Sequence, residues 1–171
     1  MEFLNPKNLL SFLKENLKDN ILDSHIATGK AGIKEEEFYN IWLEVKKEKF
    51  RDTVKLLMSL HYPHIAIIVG NDTGESIDLT YLFTLFYGEK FKEISLNLKV
   101  SLEREKPSID SITDLLPGAQ TTEREIKEMF GVEFIGLPEM RNIFLPEDFP
   151  KDVFPLRKEQ KGLDELVQQE S

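Results

Sequence analysis

The chain has 171 residues, 40% hydrophobic and 31% charged, a balance that suits a folded domain with a sizeable core. Its net charge of -9 argues against nucleic-acid binding and against direct docking on an anionic membrane surface. Cysteine is absent, which excludes a disulfide, a cysteine-ligated cluster and a thiol nucleophile within this chain. The many lysines and glutamates are typical of proteins from thermophiles.

No run of residues has the length that a membrane-spanning helix needs. The purest apolar run covers only 65–69, whereas a spanning helix takes about 20 residues. The first residues also lack a basic region followed by an apolar stretch, so we expect no signal peptide. Any membrane association should therefore come through partner proteins.

The first third of the chain predicts two helices with two strands between them. Asn5 is a good N-cap with Pro6 at the first helical position, and Gly29 and Gly32 are expected to bracket a turn between the strands. The predicted elements are a helix at 6–18, strands at 21–28 and 37–45, and a helix at 50–60.

Three further strands follow in the middle of the chain. Apolar residues alternate with polar ones along two of them, and in 76–87 the alternating apolar face runs from Ile77 to Tyr87. Alternation favours a mainly antiparallel sheet with helices on one face, so the predicted fold class is α+β. The predicted strands are 64–69, 76–87 and 94–102, with turns at 71–74 and 88–90.

The character of the sequence changes after the last of these strands. A short helix is expected at 110–116. Thr122 and Glu125 have the spacing of a capping box at the start of a further helix, which should end at Gly131 as the C′ residue. A brief strand at 132–134 is expected to follow.

Residues 137–157 show no regular period, and four prolines exclude a helix or a central strand there. The same stretch is rich in large apolar residues, which a disordered linker would not carry. We therefore predict an extended, proline-rich C-terminal arm that lies on a protein surface. The predicted organisation is an α+β domain at 1–116, a helix and docking arm at 117–158, and a polar tail at 159–171.

Few residues of the sequence suggest a metal site or a nucleotide-binding site. His61 and His64 lack a third metal ligand nearby in sequence, and we interpret them as surface or turn histidines. The stretch 28–30 lacks the glycine and the hydroxyl residue of a phosphate-binding loop. Residues 70–74 lack a dinucleotide fingerprint and are expected to close a hairpin.

The acidic helix after residue 120 allows three interpretations. Glu123 and Glu125 have the residue type of paired acid–base carboxylates. They also suit a capped helix on which Arg124 and Glu128, four positions apart, form an ion pair. The third interpretation is a docking surface of fixed charge.

A series of short motifs between residues 117 and 158 resembles the signature region of the respiratory complex I 30 kDa subunit family. The order and spacing of the motifs carry the resemblance, which a lone Glu-Arg-Glu would not. They read Pro117-Gly-Ala, Glu123-Arg-Glu-Ile-Lys-Glu-Met-Phe-Gly131, Phe134-Ile-Gly136, Pro138-Glu-Met-Arg141, Leu145-Pro-Glu-Asp148 and Pro155-Leu-Arg-Lys158.

The resemblance implies a subunit that holds no cofactor and packs against a large subunit. That partner carries the quinone site in complex I, or a nickel–iron site in related hydrogenases, beside iron–sulfur subunits. The motif residues are carried over as interface or structural residues, with no catalytic or metal-binding role. They are Glu123, Arg124, Glu125, Glu128, Phe130, Gly131, Arg141, Leu145, Pro146, Glu147, Asp148, Pro155, Leu156, Arg157 and Lys158.

The sequence departs from the family pattern at several positions. The family usually has His or Lys where Leu137 stands, a second Arg where Asn142 stands, and an aromatic residue where 120–122 reads Gln-Thr-Thr. These departures favour a ferredoxin-dependent, ion-pumping membrane-bound hydrogenase of archaeal type, with the subunit held on the cytoplasmic side of the membrane. A sulfur-reducing or quinone-reducing relative is the near alternative, and an independent soluble enzyme or ligand-binding domain is the remote one.

Overall fold

A computed structural model describes residues 4–33, 35–88 and 92–158. The helices in these ranges are α1 (Pro6–Leu17), α2 (Phe50–Leu60) and α3 (Gln120–Phe130). The strands are β1 (Ile21–Ala31), β2 (Glu36–Val45), β3 (His64–Asp72), β4 (Ser76–Leu85), β5 (Ile94–Glu103), β6 (Ser108–Asp110) and β7 (Glu133–Ile135). The chain divides into two compact units, one of Met1–Ile67 with Thr80–Val100 and one of Ile68–Leu79 with Ser101–Ser171.

The first five strands form one sheet in the order β1-β2-β5-β4-β3. β1 and β2 pair antiparallel, whereas β2 and β5 run parallel, with Leu43 opposite Leu98. β3, β4 and β5 are neighbours both in sequence and in the sheet, as in a β-meander. The sheet is thus mixed but mostly antiparallel, and the predicted α+β class is confirmed.

Helix α1 forms where its start signals predict it. The side-chain oxygen of Asn5 accepts a hydrogen bond from the backbone N–H of Asn8 at 2.9 Å, and Pro6 occupies the first turn. Leucines three and four positions apart give the helix one apolar face, which is buried. These leucines are Leu9, Leu10, Leu13 and Leu17.

Helix α2 and the sheet share the core of the first unit. Phe50 is fully buried, and the centroid of its ring lies 4.4 Å from the ring centroid of Tyr81 on β4. Along β2, Ile41 and Leu43 are buried, while Trp42 between them is 39% exposed. This strand therefore buries one face and leaves the other accessible, as the alternating sequence predicts.

Three predicted boundaries in this part of the chain are wrong. β1 continues through Gly29 instead of turning there, because residues 29–31 pair with residues 36–38 of β2. The ring of Phe38 covers the space that a Cβ at Gly29 would occupy. β3 extends to Asp72, so the turn is confined to 73–75. β4 ends before Tyr87, which is exposed.

In the second unit, the helix predicted at 110–116 is wrong. The strand β6 ends at Asp110, the first residue of this segment. The residues after it form a turn, which a hydrogen bond from the Leu116 N–H to the Ile112 carbonyl closes. β6 pairs in parallel with β7, with Ile109 opposite Phe134. After β7 the chain has no helix or strand as far as residue 158, as its sequence predicts.

Two predictions lie partly or wholly outside the described residues: the connection at 88–90, of which only Gly88 is described, and the tail at 159–171. Among the described residues, no helix combines the length and the apolar character that crossing a membrane requires.

Candidate interaction site

The N-terminal turn of α3 is attached to the segment that follows β6. The carboxylate of Glu123 is fully buried and accepts hydrogen bonds from the Ser111 hydroxyl at 2.5 Å and the Ile112 N–H at 2.9 Å. The predicted capping box is wrong, because α3 begins at Gln120 and Thr122 donates back to the Ala119 carbonyl. Glu123 is therefore a structural residue within the chain.

The next turn of α3 holds the backbone of the segment 136–158, which we call the arm. The Arg124 guanidinium donates to the carbonyl of Arg141 at 2.7 and 3.0 Å and to that of Asn142 at 3.4 Å. Lys127 Nζ donates to the Met140 carbonyl at 3.0 Å. Two cations of one helix face thus bind successive carbonyl oxygens of the arm.

Glu128 binds the adjoining stretch of the arm from the same helix. Its carboxylate accepts hydrogen bonds from three consecutive backbone N–H groups, those of Ile143, Phe144 and Leu145, at 2.6–3.2 Å. The predicted ion pair with Arg124 is wrong, because both side chains are used for the arm backbone instead. The cations of α3 therefore bind the carbonyl groups of residues 140–142, and Glu128 binds the N–H groups of residues 143–145.

The C-terminal end of α3 holds the far end of the arm. Gly131 adopts the left-handed conformation with φ 69°, as expected of a C′ residue, and the Phe154 ring lies where a Cβ would project. Arg157 stacks over that ring and donates to the Phe130 carbonyl at 2.7 Å. The Leu156 N–H donates to the Met129 carbonyl at 3.1 Å.

A buried aspartate that the sequence did not single out fixes the last described residue of the arm. Asp72 forms a bidentate pair with Arg104 at 2.9 and 3.0 Å and accepts from the backbone N–H groups of Gly74 and Lys158. The Arg104 hydrogen bonds, followed by those backbone N–H groups, hold the pKa of Asp72 well below its usual range. The three partners lie up to 86 residues away in sequence, so local patterns could not reveal the site.

One ion pair of the arm lies at the surface. Arg141, whose side chain is 80% exposed, donates to both carboxylate oxygens of Glu139, and this bonding lowers the pKa of Glu139 to about 2. The Arg141 N–H also donates to the same carboxylate at 3.0 Å. The pair leaves the Arg141 guanidinium accessible.

An open groove of about 900 Å³ lies between α3 and the middle of the arm. Its lining includes cations such as Lys127 and Lys151 and apolar groups such as Leu145 and Phe149. Pro150 also lines it, and the Pro150 carbonyl accepts a hydrogen bond from the Val153 N–H at 3.3 Å. Charged side chains of α3 that line the groove bind the backbone of the arm.

The described residues include no group of three or more histidine, aspartate or glutamate side chains that could hold a metal ion. Nδ1 of His61 accepts from the Phe86 N–H at 3.3 Å, and the His61 ring packs against those of Phe86 and Tyr87. His64 lies beside Tyr87 at the start of β3. The interpretation of these two histidines as surface or turn residues stays a prediction.

A family model supplies the decisive comparison. The model described as "Respiratory-chain NADH dehydrogenase, 30 Kd subunit" matches residues 43–165, well over half of the chain. This protein belongs to that family. The match includes α2 and β3 to β5 as well as α3 and the arm, so membership of the 30 kDa subunit family rests on more than the C-terminal motifs.

Relatives of this 30 kDa-type subunit belong to several complexes. The chain is 32% identical over 126 residues to the membrane-bound hydrogenase subunit beta of Pyrococcus furiosus, covering 73% of this chain and 72% of that protein. It is 29% identical over 115 residues to formate hydrogenlyase subunit 5 of Escherichia coli, covering 67% of this chain but only 20% of that longer protein.

A solved structure has the same fold. A chain in the structure of the membrane-bound sulfane sulfur reductase, an archaeal respiratory membrane complex, superposes with a TM-score of 0.76 at 19% identity. The superposition covers 95% of this chain and 89% of that chain.

The structure divides the residues of the family motifs by their accessibility. Glu123, Glu128 and Phe130 are buried. The half-buried members are Arg124, Glu125, Leu145, Pro155 and Arg157, with Gly131 also partly accessible. The exposed members are Arg141, Pro146, Glu147, Asp148, Leu156 and Lys158.

Proposed function

We propose that this chain is a non-catalytic, cofactor-free peripheral subunit of a membrane-bound respiratory complex. Its role is to support the large catalytic subunit of a ferredoxin-dependent, ion-pumping hydrogenase. Membership of the 30 kDa subunit family supports this role, and the similarity to a membrane-bound hydrogenase subunit beta supports the choice of complex. The cytoplasmic face of the membrane is the proposed location.

The redox centres belong to other subunits in this proposal. A nickel–iron site is assigned to the large subunit and iron–sulfur clusters to neighbouring subunits. The absence of cysteine from the sequence supports this division of labour, because cysteine thiolates hold iron–sulfur clusters and would hold the nickel of the proposed large subunit. This chain then contributes shape, charge and contact surface.

The arm is the proposed contact with the large subunit, and the division at 1–116, 117–158 and 159–171 remains a prediction. Three large apolar side chains of the arm, Met140, Phe144 and Leu156, are at least half exposed. Such groups on an irregular segment suit a partner surface that covers them. The exposed charged residues of the motifs would surround these groups as a polar rim; they are Arg141, Glu147, Asp148 and Lys158.

Affinity purification of the tagged full-length chain from mildly solubilised native membranes tests the proposal. We expect a stoichiometric large subunit with nickel-binding cysteine pairs, together with iron–sulfur subunits and hydrogen evolution from reduced ferredoxin. A large subunit that lacks those cysteine pairs would instead assign the chain to a sulfur-reducing or quinone-reducing complex.

Recovery of the chain alone, in a membrane extract where the other subunits remain intact, would contradict the proposed function. Elemental analysis of the purified chain provides a second test, because an independent metalloenzyme would contain stoichiometric metal. Under the proposal, the isolated chain contains none and the metal follows the large subunit.

A further inference from the structure

The backbone of residues 143–145 is held by one carboxylate before any partner is present. All three N–H groups point at Glu128, whose side chain is buried, and the Leu145 contact is as short as 2.6 Å. Charge-assisted hydrogen bonds of this kind are roughly twice as strong as neutral ones. Three successive amides on one anion leave this stretch with a single backbone conformation.

The side chains of this stretch do not share the burial of its backbone. Ile143 and Leu145 are half-buried against the chain, whereas the ring of Phe144 between them is 61% exposed. An exposed aromatic ring on a fixed backbone has already lost much of the conformational entropy that binding would otherwise cost. Large aromatic anchors of this kind carry much of the binding energy at protein interfaces.

The charge of the arm differs from that of the rest of the chain. The arm carries four acidic and four basic residues, so its net charge is zero, while the whole chain carries -9. The acidic residues are Glu139, Glu147, Asp148 and Asp152, and the basic ones are Arg141, Lys151, Arg157 and Lys158. The balanced charges of the arm do not add to the negative charge of the chain, and its exposed apolar groups suit an apolar partner surface.

We propose that Glu128 is a positioning residue that preorganises the arm, and that Phe144 is the anchor that inserts into an apolar pocket of the large subunit. This inference rests on the proposed function for the identity of the partner. The helix α3 is then a template that holds the docking conformation in the free chain. Assembly requires little further ordering of residues 140–145.

Amide hydrogen exchange on the full-length chain tests the positioning role without any partner. We expect slow exchange at 143–145 in the wild type and much faster exchange at these amides in Glu128→Gln, with the core strands unchanged. Glu125→Gln makes the same chemical change on the same helix, and this control should leave these amides protected. Unchanged protection in Glu128→Gln would overturn the positioning role.

Capture of the large subunit from solubilised native membranes tests the docking role with the same variants. We expect Glu128→Gln to weaken capture by about tenfold or more, since the ordering cost returns to the binding step. Phe144→Ala should weaken capture by a similar factor and keep the slow exchange, because its side chain is exposed in the free chain. Wild-type capture by Phe144→Ala, or by Glu128→Gln with accelerated exchange, would overturn the inference.

The experiments distinguish failure of the proposed function from failure of the role given to Glu128. If the wild-type chain captures no large subunit, the proposed function fails, while the exchange experiment still decides whether Glu128 orders the arm. If Glu128→Gln does not fold, its melting curve reveals this, and the comparison of Phe144→Ala with wild type decides the docking role.

Discussion

The core of the first unit and the arm are stabilised by different interactions. In the core, α1 and α2 bury leucines and aromatic rings, and the regular elements satisfy their own backbone groups. The arm has no regular element as far as residue 158, and charged side chains of α3 bind its carbonyl and N–H groups directly. An apolar core tolerates substitutions that conserve the volume of its side chains. The conformation of the arm depends instead on a few charged atoms at hydrogen-bonding distance from its backbone.

The largest loss of stability is expected in the core. Leu57→Ala removes a fully buried side chain of α2 and should lower the free energy of unfolding by about 2–5 kcal/mol through lost burial and the cavity left behind. Denaturant unfolding of the full-length chain measures this change. Leu56→Ala, at a half-buried position of the same helix, should cost clearly less. Equal losses would mean that the packing of α2 is misassigned.

Asp72 should give a smaller loss that depends on pH. Asp72→Asn removes the charge that pairs with Arg104, which should lower stability at pH 7 by about 1.5–3 kcal/mol. The pKa of Asp72 is depressed in the folded state, so its contribution is complete above the unfolded pKa of about 4 and declines as the pH falls towards the lower folded pKa.

Unfolding of Asp72→Asn and wild type at several pH values measures this prediction. The two stability curves should lie apart at pH 7 and approach each other below about pH 4, where the aspartate of the unfolded state takes up a proton. A constant difference between the curves at all pH values would contradict the role given to the Asp72 charge.

Replacing Glu123 should lower the stability somewhat less than replacing Asp72. Glu123→Gln keeps the shape of the side chain but weakens its bonds to Ser111 and the Ile112 N–H, and we expect a loss of about 1–2 kcal/mol. Thermal unfolding measures the effect. The half-buried Glu125 offers the matched control, and Glu125→Gln should leave the melting temperature nearly unchanged. The reverse order would show that Glu125 carries the structural role.

The smallest effect is expected at the surface of the arm. Breaking the Glu139–Arg141 pair should leave the unfolding midpoint almost unaltered, because solvent screens exposed ion pairs. The pKa of Glu139 should nevertheless rise from about 2 towards its ordinary value in Arg141→Ala. A titration followed by NMR measures this change. An unshifted Glu139 in the wild type would mean that the pair is not formed in solution.

Local signals predicted the elements whose stability is local. The cap of α1 at Asn5 and the glycine stop of α3 at Gly131 are both confirmed, since each depends on residues within one helical turn. The apolar spacing of α2 was equally readable from the sequence. The alternation along β4 predicted its buried face but placed the end of the strand two residues too far, at Tyr87 instead of Leu85.

The errors lie where residues outside the recognised motif decide the structure. Thr122 has the spacing of an N-cap, yet a turn of 3-10 helix over Pro117–Ala119 leads into α3 and moves its start to Gln120. Arg124 and Glu128 have the spacing of an ion pair, yet each finds better partners on the arm backbone. No sequence period indicates such contacts, because the arm is irregular.

The central claim is that the arm docks on the large subunit of the complex, and a photo-crosslinker in place of Phe144 tests it most directly. A benzophenone analogue of phenylalanine fits this exposed position, and the same group at the exposed Glu15 of α1 is the control. Illumination of native membranes should link position 144, and not position 15, to a large subunit with nickel-binding cysteine pairs. Crosslinking of the large subunit from position 15 alone, or from neither position in an intact complex, would contradict the account.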